Sequence, residues 1–126
     1  MVKLIDKLSK NNIHIKWKGT FRFEEALLND EIILKFKPSG CRMLFFGLES
    51  FDQKFLDNIN KGINVKYAIK ILKLCKKYDI KTSVSFLFNF PLENLPTLMV
   101  TKRFLKKHIN LFDHLEFNTF VPTANG

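Results

Sequence analysis

Four short apolar runs, separated by amphipathic helical patterns, constrain this chain more than any other feature of its sequence. Ile13 to Trp17 alternates apolar and polar residues, and Met43 to Leu48 is an apolar run beside Gly40 and Gly47. Ile80 to Phe88 and Leu115 to Val121 complete the set, so the expected strand ends fall near residues 17, 48, 88 and 121. That spacing is about one βαβ repeat each time. Between the strands the pattern predicts helices over 24–36, 51–59, 65–78 and 94–110, with Asn64 capping the third and a helix end over 2–11. Strand and helix alternating throughout specify an α/β fold with a parallel sheet and crossover helices. A complete eight-stranded barrel takes about 250 residues, so about four βα units make half of a TIM-like barrel. The expectation is therefore a partial parallel β/α barrel, one partial domain over 1–126. Such an arc would expose two sheet edges and the face meant for the barrel interior.

Composition narrows the function classes. The hydrophobic content of 46% and the 14 Phe are enough for an aromatic-rich core. No apolar run approaches the roughly 18–20 residues of a membrane helix, and the N-terminus lacks the apolar core and cleavage site of a signal peptide. A cytoplasmic protein with no membrane partner is expected. The net charge of +9 comes almost wholly from Lys on outer helix faces, Lys66, Lys70, Lys73, Lys76 and Lys77 among them. That is the solvated side of amphipathic helices, and with three Arg and no nucleic-acid motif, no specific nucleic-acid partner is expected. Cys41 opens a strand and Cys75 falls on the apolar stripe Val65, Ala68, Ile69, Leu72. Neither suggests a metal site, and a cytoplasmic disulfide is not expected. The three His are isolated and read as structural, and no nucleophile–base constellation points to a hydrolase.

The chemistry concentrates at the expected carboxyl ends of strands, where parallel α/β folds bind ligands. Glu49 and Ser50 stop the second strand, and a helix carrying Phe51, Phe55, Leu56 and Ile59 comes next. Glu49 is an acid at a strand end; alternatively it only caps the next helix. Arg22 ends the loop Lys18–Arg22 that succeeds the first strand, and Lys61 stands twelve residues beyond Glu49.

Gly40-Cys-Arg-Met-Leu-Phe-Phe-Gly-Leu-Glu-Ser50, Leu56-Asp-Asn-Ile-Asn-Lys-Gly62 and Phe86-Leu-Phe-Asn-Phe-Pro-Leu-Glu93, in this order, resemble the radical S-adenosylmethionine (SAM) enzymes. The nearest branch holds methylthiotransferases, anaerobic coproporphyrinogen oxidases and cobalamin-binding members. Trp17 with Arg22, and Phe117-Asn-Thr-Phe-Val-Pro122, fall where that branch has a strand-end Trp/Arg pair and a final strand, so the resemblance spans about residues 13–126. It implies a full or partial β/α barrel whose four-iron four-sulfur (4Fe–4S) cluster cleaves SAM reductively to a 5′-deoxyadenosyl radical. By the same resemblance Glu49 meets the adenosyl ribose and Lys61 meets the methionine carboxylate, and Ser50 beside Glu49 counts among the cofactor-binding residues. Arg22 is a second candidate for that carboxylate or for substrate. Phe88, Asn89 and Phe90, with Phe120 and Pro122, match strand ends that pack on or hydrogen-bond the adenine. The residue chemistry is compatible, because a carboxylate accepts from hydroxyls and a cation pairs with a carboxylate, although Lys gives no bidentate fork.

Three departures qualify the resemblance. Nothing matches the family's Cys-x-x-x-Cys-x-x-Cys motif, so the cluster is expected to belong to the parent enzyme and not to be ligated by this chain. Asn89 and Leu92 stand where relatives have Gly; Asn tolerates a left-handed backbone, whereas Leu lacks the close backbone approach that glycine allows. The expected function is that of a radical SAM fragment contributing SAM-binding strand ends, inactive alone. Its partner would be the N-terminal barrel half, on the same parent chain or a separate polypeptide. The alternative is a non-catalytic remnant or split-gene half that acts only by association with another chain.

Overall fold

The computed structural model describes residues 2–88 and 94–119, apart from the side chain of Val2. In chain order it comprises α1 (Val2–Lys10), β1 (Trp17–Phe21), a 3-10 turn (Glu25–Leu28), α2 (Asp30–Ile33), β2 (Cys41–Glu49) and α3 (Gln53–Asn58). Next come α4 (Val65–Lys77), β3 (Thr82–Phe88), α5 (Leu95–Lys107), a second 3-10 turn (Ile109–Leu111) and β4 (His114–Thr119). The strands form one sheet in the order β1-β2-β3-β4. All three neighbouring pairs are parallel, the sheet expected of successive right-handed βαβ units.

Short polar residues start the helices. The Asn64 side chain accepts from the N–H groups of Lys66 and Tyr67, and Asp52 and Asn94 cap α3 and α5 in the same way. Pro96 sits in the first turn of α5, where its lost donor costs nothing. The helix predicted over 24–36 is broken, and Asn29 is the cause. Its backbone is extended (φ −87°, ψ 116°) and its side chain accepts from the Glu31 N–H, which ends one turn and starts another.

The first strand also lies further along than its alternation suggests. Ile13 and Ile15 are 48% and 45% exposed, and the ladder starts only at Trp17, opposite Cys41. Trp17 and Phe21 pack on Phe36 at ring-centroid distances of 5.8 and 5.6 Å, so burial beyond residue 17 fixes the strand. Of the expected loop Lys18–Arg22, residues Lys18 to Phe21 are therefore strand, and Arg22 succeeds its carboxyl end directly.

The core lies between the sheet and the helices. Leu44, Phe46 and Leu48 of β2, with Val84 and Phe86 of β3, meet Ala68, Ile71, Leu72 and Cys75 of α4 in one buried cluster. The Phe23–Phe46 rings stack at 4.3 Å, and Phe51 lies 5.4 Å from both Phe86 and Phe104. Alternate strand residues take the opposite face, which is open: Lys18 and Thr20 of β1, and Glu116 and Asn118 of β4, are exposed. Among the described residues, β1 and β4 each have one unpaired edge.

Candidate functional site

The carboxyl ends of β1 and β2 and the loop after α3 converge on one group of polar residues. Arg22, immediately past β1, donates from Nη2 to the carbonyl of Lys61 at 2.6 Å. The Lys61 ammonium lies 3.7 Å from Glu49 Oε1. The Glu49 side chain is only 15% exposed, whereas that of Lys61 is 41% exposed. Three residues from separate segments, one of them the last residue of β2, thus form one unit, and Glu49 is not merely a helix cap; Asp52 caps α3.

Glu49 is aimed by its backbone. The β2–β3 register shifts between Gly47 and Glu49, and Glu49 takes φ +73°, a left-handed conformation uncommon for a residue with a side chain. A Cβ on Gly47 would lie 2.9 Å from Glu49 Oε1, so the carboxylate rests in space that only glycine leaves open. The loop carrying Lys61 is shaped similarly, with Asn60 at φ +55° and Gly62 at φ +65°. Gln53 holds its far side, donating to the Ile63 carbonyl at 2.8 Å and accepting from the Val65 N–H at 2.9 Å.

Ser50 is placed elsewhere. It is 2% exposed, and its hydroxyl lies 3.1 Å from Thr101 Oγ1 and accepts from the Asp52 N–H. The structure does not bring Ser50 together with Glu49: successive side chains leave a strand end on opposite faces, and the Ser50 hydroxyl is bonded on the helix side. The Phe88 ring also turns that way, lining an apolar cleft of about 360 Å³ with Leu98, Leu105 and Ile109 and lying 5.6 Å from Phe117. Its side chain therefore does not face Glu49; only its backbone stands at the strand end. Asn89, Phe90, Phe120 and Pro122, together with Leu92, lie outside the described residues.

Residue patterns alone did not single out Gly47, which seats Glu49, or Thr101, which holds Ser50 and accepts from the Phe51 N–H at 3.0 Å. The buried pair Thr97 and Thr101, one helical turn apart on α5, is a signal that could have found the second. The cysteines do not fit a metal cluster. Cys41 stands at the amino end of β2 and Cys75 within α4; both are buried, and burial pushes their thiols up to about 11 and about 12. Buried apolar surroundings hold them as thiols, whereas a metal needs thiolates. Among the described residues no three His, Cys, Asp or Glu are grouped to hold a metal ion.

Residues 2–105 match the family model of the Radical SAM superfamily. The chain belongs to that superfamily. Its members use SAM and a 4Fe–4S cluster. An uncharacterized methyltransferase of Pyrococcus horikoshii is 29% identical over 116 residues, covering 92% of this chain and 24% of the relative. The bacteriochlorophyllide d C-8(2)-methyltransferase of Chlorobaculum tepidum is 33% identical over 79 residues, 60% of this chain and 17% of that protein. Among solved structures, the radical SAM methyltransferase TsrM of Kitasatospora setae, with cobalamin and a [4Fe-4S] cluster bound, superposes with a TM-score of 0.73 at 16% identity. The superposition covers 93% of this chain and 23% of TsrM, so the present sheet shares its fold with part of that structure. The chain spans about a quarter or less of the length of these proteins.

Proposed function

We propose that residues 1–126 are the C-terminal half of a cytoplasmic radical SAM barrel and supply its SAM-binding strand ends. The observation that carries this is the convergence of Arg22, Glu49 and Lys61 at the carboxyl end of the sheet. The Glu49 carboxylate can accept from the two ribose hydroxyls, and the Lys61 ammonium can pair with the methionine carboxylate. Their own ion pair is partly exposed and worth about 0–1 kcal/mol, so re-pairing each with a ligand group costs little. When bound beside a reduced cluster, SAM supplies the radical chemistry of the family. The cluster ligands belong to the other barrel half, contributed by a longer parent chain or a separate polypeptide. The open inner face and the unpaired edges of β1 and β4 support such a complement.

Anaerobic calorimetry of the chain with SAM tests this reading. Binding that is lost in Glu49→Ala, from a chain that takes up no iron on reconstitution, is the expected result. A chain that binds no SAM, alone or with its complement, would leave the second reading, a non-catalytic half acting only by association. The same open face and edges favour that reading.

A further inference from the structure

We infer that Arg22 is a positioning residue for Lys61 and not itself a ligand of the cofactor carboxylate; this rests on the SAM-binding reading above. One of its guanidinium donors is engaged on a peptide carbonyl, since Nη2 donates to Lys61 O at 2.6 Å across 39 residues of sequence. Among the described residues Arg22 makes no ion pair, whereas Lys61 pairs with Glu49. The bond closes a loop that regular structure does not hold: Lys61 lies between two left-handed residues, Asn60 and Gly62. The Lys61 N–H is tied to the Leu56 carbonyl at 3.1 Å, so the Arg22 bond fixes the other side of the same residue. Gly62 suits this loop through its backbone, since φ +65° favours glycine; a Cβ there would lie 3.5 Å from Nη2, an ordinary contact.

The physical need is clear from the length of the Lys61 side chain. A lysine ammonium on a four-carbon stem loses about 2 kcal/mol of rotamer freedom when it is fixed, and it lacks the pre-organised fork of arginine. Pinning its Cα reduces the volume the ammonium must search and keeps it beside Glu49. Arg22 therefore joins the end of β1 to the site and acts through Lys61.

A double-mutant cycle on the whole chain, with Arg22→Met, Lys61→Met and the pair combined, tests this. The readouts are calorimetric affinity for S-adenosylhomocysteine, affinity for 5′-methylthioadenosine, which has no carboxylate, and hydrogen exchange of residues 60–64. Lys61→Met is expected to weaken S-adenosylhomocysteine about ten-fold, the size of one charge-assisted contact. Arg22→Met should weaken it somewhat less, speed exchange in 60–64 and leave 5′-methylthioadenosine unchanged, with Arg22→Lys restoring part of both effects. The double variant should bind no more weakly than Lys61→Met. Additive losses, about a hundred-fold together, with 60–64 still protected in Arg22→Met, would show direct ligation by Arg22 and overturn the assignment. An Arg22→Met chain with unchanged affinity and exchange would overturn it too. If the wild-type chain binds neither ligand, the SAM-binding reading itself fails, and exchange alone then shows whether the bond orders the loop; a clamp that orders no binding site is only structural.

Discussion

Gly47 should be a position where a single methyl group moves the site without unfolding the protein. An alanine Cβ there would lie 2.9 Å from Glu49 Oε1 and 3.6 Å from Ser85 Oγ. The second distance is ordinary contact, and Gly47 is not among the residues of positive φ, so the backbone tolerates alanine. The first is too short, and the carboxylate must retreat by about 0.5 Å to reach the 3.4 Å at which ordinary contact begins. Pushing a side chain off its rotamer costs about 0.5–1.5 kcal/mol. Replacing glycine at a permissive position returns about 0.4–1 kcal/mol through the unfolded chain. The two nearly cancel, so Gly47→Ala should change unfolding free energy by less than about 1 kcal/mol, read by the fluorescence of Trp17, the only Trp, in a urea titration. Binding should respond differently, because the displaced oxygen is the one facing Lys61 at 3.7 Å. Misplacing a charged acceptor removes up to about 1.5–3 kcal/mol, a ten-fold or greater loss of SAM affinity by calorimetry. Adding Gly47→Ala to Glu49→Ala should then cost nothing more. Unchanged affinity in the single variant would refute the reasoning, and so would a loss of several kcal/mol of stability.

Gly40→Ala should be severe, since its Cβ would lie 1.7 Å from the Ile15 carbonyl oxygen at φ +99°; loss of more than about 3 kcal/mol or failure to fold is expected in chemical denaturation. Thr101→Val should cost about 1–3 kcal/mol, because it leaves the buried Ser50 hydroxyl and the Phe51 N–H without their partner, whereas Thr101→Ser should retain most of that; urea midpoints decide it. Hydrogen bonds from Tyr78 and Lys77 hold the Asp30 carboxyl below its ordinary value, and Lys37 does the same for Asp79. Both contribute stability that is present above the ordinary carboxylate range and is lost as pH falls through their lowered values. Burial lowers His108, so its contribution declines as pH drops below about 6.5; denaturation against pH should show both steps, the acid one weakened by salt. The buried thiols of Cys41 and Cys75 should resist Ellman's reagent in the folded chain and both react once it is unfolded.

Local pattern carried the architecture because its signals agree with burial. The stripe Val65, Ala68, Leu72 and Cys75 is the buried face of α4, and Asn64 caps that helix. Ser83 to Phe88 pairs β4 as the parallel alternation requires. Where the pattern misplaced an element, a tertiary contact outweighed it. Ile13 to Trp17 alternates as a strand does, yet only Trp17 pairs, because the Phe36 ring and the start of β2 lie further along. The apolar spacing over 24–36 is helical, and one Asn side-chain bond interrupts it. Site residues at the strand ends were legible one by one. Their mutual bonds were not, since Arg22 and Lys61 are 39 residues apart and meet through a backbone carbonyl, a contact that residue identity does not encode. The side chains of Ser50 and Phe88 lie on the face away from Glu49 for one reason: a strand end offers two faces, and sequence order names the position without naming the side.

That second face nevertheless contributes to the first. A left-handed Glu49 costs about 1–2 kcal/mol and persists only if its neighbours force the turn. Residues 50–52 supply that force. The Ser50 hydroxyl receives the Asp52 N–H, Thr101 receives the Phe51 N–H, and Phe51 is buried against Phe86 and Phe104. Each contact lies on the helix side, and together they leave the chain one way out of β2. The carboxylate, on the opposite face, inherits that direction and comes to rest over Gly47 within reach of Lys61. Loosening the buried hydroxyl pair should therefore disorder Glu49 even though neither hydroxyl touches it. Thr101→Val should weaken SAM binding as well as stability, while Thr101→Ser, which keeps the donor and acceptor, should spare the binding.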